Sequence, residues 1–509
     1  MKYATIIIAI LAASLAMKRT AKAKNILFIP ATGATSHVKS MLPLAENLLK
    51  DGHNVSLLQY YNEEKQKVTH DSIQFTYVLT SGGRLIDEKQ QSRIWRKKGM
   101  NPWVILKATW KASAACLRST YTDGQKEIYQ NLSTLNWDLL IVDNLLQPCG
   151  IVLSTNTKGR PWIDYSTTAM LKHIRRYRAV NVPPSVDVSP LIMEEFQPTN
   201  FKNRVLSAIE HVLECILLFS LSVAMTMPWL AQSAMLSIEH VNDFHTNAVY
   251  SLGSLSTKLD VTLPQTMNTF SIDYACPKAA KLNYEYQKFV EDPASRGTIV
   301  FSFGHTADWK EAPTELIKAI SSAFENLSQY HIVWQFNGNI SIVSSSAHLR
   351  IEPWIPLPSL LQHSKTVLFI THSGIKSFRE AICFAVPMLS IPLFGDQVRN
   401  TILAKFHGLG VRLDKTRLTE ETFYKGILSV LHDSGYKQRI TKLSAMLSDN
   451  LIDETKKGSF WINFYLRHPH SASHMRLKGI TMTTFSYHSY DLLAIVCVLL
   501  LAFHCGIYY

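Results

Sequence analysis

The chain has 509 residues, of which 47% are apolar and 18% charged. That excludes a disordered chain and leaves room for two or three globular domains. The formal net charge of +13 points toward nucleic acid, but the basic residues are dispersed, with local runs only at Arg96-Lys97-Lys98 and Lys172 to Arg178; without a DNA- or RNA-binding motif, a solvated basic face near anionic lipid headgroups is the better reading.

Residues 1–23 read as a signal peptide. Lys2 gives a positive start, Tyr3 to Ala16 an apolar core, and small residues offer cleavage after Ala16 or Ala23. The core is shorter than the roughly 20 residues that span a bilayer. Asn25 to Pro30 (NILFIP) reads as a buried strand, and Val38 to Leu49 as a helix with Met41, Leu44 and Leu48 on one face. A turn at Asp51-Gly52-His53 leads to a second strand, Asn54 to Leu58. This is a first βαβ unit. Leu139 to Val142 reads as another buried strand, ending at Asp143. Ligands of open α/β sheets gather at the carboxyl ends of strands, so His37 and Asp143 both stand where chemistry is expected. Val182 to Pro190 is a proline-rich loop. Cys215 to Met227 is apolar and uncharged up to Pro228, and fits equally a core helix or one that dips into a membrane. Thr262 to Pro293 reads as irregular.

A second series begins with a strand from Thr298 to Phe303 running into Gly304. A helix at Glu311 to Leu327 and strands at His331 to Gln335, Leu349 to Pro353 and Val367 to Ile370 follow. A helix at Ser377 to Phe384 and a strand at Met388 to Ile391 complete it. The expected fold is α/β: two facing Rossmann-like domains, 24–265 and 294–455, joined by a linker at 266–293. Residues 456–485 are expected to return as a helix to the first domain. The tail, 490–509, is apolar without interruption only from Leu492 to Phe503 and just reaches a transmembrane length; a lipid-anchor attachment signal is the lesser alternative. The seven cysteines show no CxxC and no zinc spacing. Buried free thiols are favoured over a single disulfide. Asn-x-Ser sequons occur at Asn54, Asn131, Asn326 and Asn339; Asn54 starts a strand, and the other three suit glycosylation.

The most informative stretch runs from Trp354 to Asn400. It contains a strand, the loop Thr371-His372-Ser373-Gly374 and a helix. Gly374 allows close backbone approach, and a helix N-terminus offers N–H groups to an anion. His372, Lys376 and Ser377 add donors, so the stretch suits a diphosphate. A strand-Gly-helix alone is a weak signal. The wider block holds Trp354, Pro356, Thr371, His372, Gly374, Ser377, Glu380, Ala381, Val386, Pro387, Pro392, Asp396, Gln397 and Asn400.

This block resembles the donor-binding signature of the UDP-glucuronosyltransferases and UDP-glucosyltransferases. The resemblance covers almost the whole chain, including Gly33 with Ser36-His37-Val38, Asp143 to Gly150, Phe301 to Gly304 and Trp461 to Arg476. It implies a GT-B fold with a C-terminal transmembrane helix. It implies no metal and no cofactor, the UDP-sugar being a co-substrate. The implied partners are UDP-glucuronate or UDP-glucose, a small lipophilic acceptor and the membrane, with a homo-oligomer left open. The implied location is the endoplasmic reticulum membrane, single-pass, with a luminal body. By resemblance, Trp354 stacks on uracil and Glu380 holds ribose hydroxyls. His372 and Ser377 bind the diphosphate, with Gly374 and Lys376 beside them. Asp396 and Gln397 read the sugar hydroxyls. His37 matches the general base and Asp143 the carboxylate that orients it. Each also has a plain structural reading: His37 as a loop residue, Asp143 as a helix cap, Trp354 as core, Asp396 and Gln397 as surface.

Several positions depart from the family pattern. Leu357 stands for Gln, Ser373 for Gly, Lys376 for Asn, Phe384-Ala385 for His-Gly and His305 for Ser. They motivate the alternative of a catalytically weakened member that binds a UDP-sugar or a lipophile. His37, Asp143, Asp396 and Gln397 are retained.

Overall fold

A computed structural model describes residues 22–507 except 62, 81–85, 98–101, 122–124, 146, 156–159, 169–174, 176, 179, 181–196, 198, 231–235, 254–257, 260–265, 273–275, 306, 483 and 488. The leader up to residue 21 and the loop read at 182–190 lie outside the described residues.

Two parallel sheets organise the chain. The first holds β1 (Asn25–Ile29), β2 (Asn54–Tyr61), β3 (Gln74–Leu79), β4 (Leu139–Asp143), β5 (Trp162–Ser166), β6 (Ser251–Gly253) and β7 (Thr269–Ser271), in the order β3-β2-β1-β4-β5-β6-β7. The second holds β8 (Thr298–Ser302), β9 (His331–Gln335), β10 (Leu349–Glu352), β11 (Thr366–Thr371), β12 (Met388–Ser390) and β13 (Gly410–Arg412), in the order β10-β9-β8-β11-β12-β13. The central strands are apolar along their length because helices cover both faces of a parallel sheet; β4 and β8 are buried throughout. In each sheet the strand order reverses beside the first strand, between β1 and β4 and between β8 and β11. Such switch points open a crevice at the carboxyl ends of the strands.

The described helices include α1 (Thr35–Lys50), α2 (Glu88–Arg96), α3 (Pro102–Tyr121), α4 (Pro148–Thr155), α5 (Phe201–Leu230), α6 (Ile238–Asn247), α7 (Tyr284–Val290), α8 (Ile375–Cys383), α9 (Asp396–Phe406), α10 (Glu454–Arg467) and α11 (Tyr490–Ile507). Val38, Met41, Leu44 and Leu48 of α1 are buried at helical spacing, as expected from the apolar period. Helix α10 packs back on α1: Asn47 Nδ2 donates to Thr455 Oγ1 at 2.5 Å, His53 Nε2 lies 2.6 Å from Asn463 Oδ1, and Ile462 joins the first core. Helix α2, from the first half, crosses the other way. Its Trp95 enters the second core, 4.8 Å from Trp309 between ring centroids, and donates to the Asp308 carbonyl at 2.9 Å.

Four features differ from the sequence expectation. The stretch read as irregular contains β7, the edge of the first sheet, and α7, whose Tyr286 and Val290 join a core of the second half. Three and seven residues are too few to carry a readable period. Four of the cysteines read as free thiols instead form Cys116–Cys149, joining α3 to α4, and Cys276–Cys383, at the end of α8, each with Cα atoms 5.5 Å apart, while Cys497 and Cys505 are free and exposed. Separations of 33 and 107 residues leave no local trace, so only folding brings the pairs together. The tail does form α11, but among the described residues no helix is long and apolar enough to cross a membrane. Helix α5 is longer than the apolar run inside it. Met225 and Trp229 pack against α3, with Trp229 Nε1 donating to Ser113 Oγ at 2.8 Å, whereas Val205, Ile209, Val212, Ile216 and Phe219 are exposed.

Candidate active site

The first half of the site forms at the β1/β4 switch point. Gly33 turns the loop after β1 at φ 65°, so that α1 starts at Thr35 and His37 falls in its first turn. Asp143 closes β4 and is fully buried. His37 Nδ1 lies 2.7 Å from Asp143 Oδ2, while Asp143 Oδ1 accepts from the Leu145 N–H at 3.0 Å. Thr167, just past β5, donates its hydroxyl to the same Oδ2 at 2.6 Å and touches His37 Nδ1. Burial pushes the His37 imidazolium down, but the charge and hydrogen bond of Asp143 and the charge of Asp396 outweigh it, and the pKa lies above the usual 6.5.

The second half forms at the β8/β11 switch point. A Cβ on Gly304 would sit 3.1 Å from His372 Cε1, and one on Gly374 only 2.6 Å from His372 Nε2. The two glycines therefore make room for the imidazole. Burial pulls His372 down to about 4, with the Ser302 carbonyl opposing weakly. His372 is a neutral donor at physiological pH, not a cation. Gly374 caps α8; Lys376 follows in its first turn, Ser377 and Glu380 are buried beyond. Burial raises Glu380 to about 7, against the pull of Lys376 and Lys39, and burial lowers Lys376. Trp354 is 58% exposed, which suits a stacking platform and not a core residue. Asp396 opens α9. Its carboxyl is pushed up by burial, against hydrogen bonds from Asn400 at 3.2 Å and the Ile375 N–H and against the charge of His37. Gln397 is buried; its Oε1 accepts from the Leu393 and Phe394 N–H groups at 2.8 and 3.0 Å, leaving its amide –NH2 as the end able to donate to a ligand.

The two halves meet across one cleft. His37 and Asp396 lie close enough for each charge to shift the other. Lys39, two residues after His37 on α1, sits 5.7 Å from the Trp354 ring centroid, and its charge reaches Lys376 and Glu380. All ten residues singled out from sequence thus lie at the carboxyl ends of the two sheets, with an imidazole–carboxylate pair on one side and anion-seeking groups on the other.

A family model described as UDP-glucoronosyl and UDP-glucosyl transferase matches residues 24–508. The chain belongs to this family of UDP-sugar transferases. UDP-glucuronosyltransferase 1A10 of Homo sapiens is 25% identical over 505 residues, covering 96% of this chain and 92% of that protein. UDP-glucuronosyltransferase 2B7 of Homo sapiens is 34% identical over a shorter span, 44% of this chain and 42% of that protein. Among solved structures, the glycotransferase of kitacinnamycin has a TM-score of 0.58 at 16% identity, over 87% of this chain and all of the other. Spinosyn forosaminyltransferase SpnP has 0.57 at 15%, with the same coverage. These likenesses show the GT-B-like arrangement of two parallel sheets. The transferase moves a sugar from a UDP-sugar to an acceptor.

Two departures of the transferase from the family pattern now have a geometry. Ser373 and Ala385, which replace glycines, have φ 61° and 53°: the left-handed backbone is kept although the glycine is gone. Two site residues went unnoticed in the sequence. Thr167 belongs to no recognisable motif, and only the pairing of β5 with β4 brings it to Asp143. Lys39 lay two places from His37 but looked like one basic residue among many.

Proposed function

We propose that the transferase is an inverting enzyme that moves glucuronate or glucose from its UDP carrier to a hydroxyl of a small lipophilic acceptor, with His37 as general base. The convergence of the His37–Asp143 pair with Asp396 across one cleft carries this reading. The acceptor oxygen attacks the anomeric carbon as its O–H proton passes to His37 Nε2. The bond from the anomeric carbon to the UDP oxygen breaks, and its electron pair leaves with UDP. Asp143 holds the imidazole and stabilises the imidazolium. The N-terminus of α8 with His372, Ser377 and Lys376 faces the charge that grows on the diphosphate. Trp354 takes uracil, Glu380 the ribose hydroxyls, and Asp396 with the Gln397 amide the sugar. No resident metal or cofactor enters the scheme. His37→Ala is expected to lower kcat by about 10²–10⁴ while UDP binds as before in calorimetry. Undiminished turnover in that variant would remove the base assignment.

The names of the relatives favour UDP-glucuronate as donor. Mass spectrometry of products from an equimolar mixture of UDP-glucuronate and UDP-glucose decides between them. For the location we propose the lumen of the endoplasmic reticulum, with the apolar tail at the membrane. Two disulfides suit an oxidising compartment, and α11 exposes Leu492, Leu493, Ile495 and Leu499. Digestion of residues 25–480 by protease added outside sealed vesicles would end that placement.

A further inference from the structure

The group that completes the His37 site is a threonine. Thr167 is buried, its hydroxyl donates to Asp143 Oδ2 at 2.6 Å, and the same oxygen rests against His37 Nδ1. With the 2.7 Å contact between His37 Nδ1 and Asp143 Oδ2, three side chains close a triangle around one ring nitrogen.

Hydrogen-bond inventory fixes what this triangle does. A carboxylate accepts and cannot donate, and a hydroxyl has one proton with two lone pairs. The Thr167 proton goes to Asp143, so Thr167 presents only lone pairs to the imidazole. Nδ1 then faces two acceptors, and only a protonated Nδ1 satisfies both. Resting on the reading of His37 as base, we infer that Thr167 is a positioning residue that keeps the neutral imidazole in its Nδ1–H form, with Nε2 bare for the acceptor proton. After proton uptake Nδ1–H keeps the same two acceptors, so neither partner has to turn during the step.

Neighbouring residues hold the strand ends that carry the triangle. Asn144, next to Asp143, donates to Ser166 Oγ at 2.5 Å and to Asp164 Oδ1 at 2.7 Å. Ser166 precedes Thr167. The other oxygen of Asp164 lies 3.0 Å from His245 Nδ1 on α6. A buried polar clasp thus ties the end of β4 to the end of β5 one residue away from the triangle. The clasp therefore holds the two strand ends that carry Asp143 and Thr167 side by side.

The test compares Thr167→Val, which keeps the shape without the hydroxyl, with Thr167→Ser, which keeps the hydroxyl. Both are made in the full chain and assayed with a phenol acceptor and whichever of UDP-glucuronate and UDP-glucose the wild type uses. Thr167→Val is expected to lower kcat about tenfold with UDP affinity unchanged, a part of the general-base contribution. The hydroxyl touches both the ring and the carboxylate, so its loss is expected to shift the acid limb of kcat/KM. Thr167→Ser restores most of kcat. An unchanged kcat and limb in Thr167→Val overturns the inference, as does a Thr167→Ser variant as impaired as Thr167→Val. If Thr167→Val does not fold, Thr167→Ala takes its place with the same expected and overturning results, and a proton on Nε2 of neutral His37 in 15N spectra of the histidine-labelled wild type also overturns the inference. His37→Ala reads the base assignment separately, so the two failures are distinguishable.

Discussion

Glu380 is held up to about 7 by burial, against Lys376 and Lys39, so it titrates where the enzyme works. Its ionised form accepts hydrogen bonds at both oxygens, and protonation turns one of them into a donor. UDP affinity is expected to fall as pH drops through about 7, and calorimetry at pH 6 to 8.5 will show it. His372, near 4, stays neutral over that range and cannot produce the trend. The trend should vanish in Glu380→Gln, which binds weakly throughout; a pH dependence that survives there assigns it to another group. Trp354→Ala should cost about 1–3 kcal/mol of UDP binding, the worth of one base stacked on an aromatic ring, and Trp354→Phe should recover most of it. These two residues were legible in sequence because family spacing marks them. The depressed pKa of His372 was not, since it depends on Gly304 and Gly374 closing around the ring from two different loops.

Helix α8 shows what an element adds to its residues. Its C-terminus is a Schellman turn, with the Val386 N–H on the Ala381 carbonyl at 2.8 Å and the Ala385 N–H on the Ile382 carbonyl at 3.0 Å. The left-handed position of that motif favours glycine, yet Ala385 occupies it at φ 53°. Ala385→Gly is expected to stabilise the fold by about 1 kcal/mol, seen as a higher thermal midpoint. Ser373→Gly should gain less. Its Oγ donates to Ser390 Oγ at 2.9 Å, and losing that bond offsets most of the relief. At the other end, Gly374→Ala puts a methyl 2.6 Å from His372 Nε2; the displaced imidazole should weaken UDP binding with little effect on the acceptor KM. The long apolar strands β1, β4, β8 and β11 were readable because continuous burial needs continuous apolar residues. The short β7 and α7 were not, because their assignment depends on which sheet and which core they join.

At the scale of the molecule, the halves are tied by links that cross in both directions. Trp95 of α2 is inserted in the second core and α10 lies on α1. Cys276–Cys383 closes a loop of 107 residues, Cys116–Cys149 one of 33. Loop-closure entropy makes these worth roughly 5 and 4 kcal/mol. Removing Cys276–Cys383 by paired Ser substitution should therefore lower the unfolding temperature more, and calorimetry of the two double variants checks the order. By itself, the amino-acid sequence showed the two α/β series through local apolar period, and it pointed to the family and to ten candidate residues through the resemblance of its motifs. Tertiary structure alone decided which cysteines pair, that Thr167 completes the triangle at His37, and that Lys39 reaches Trp354. Those contacts join residues that no sequence period relates. They exist only once strands far apart in the chain lie side by side and two crevices face one another.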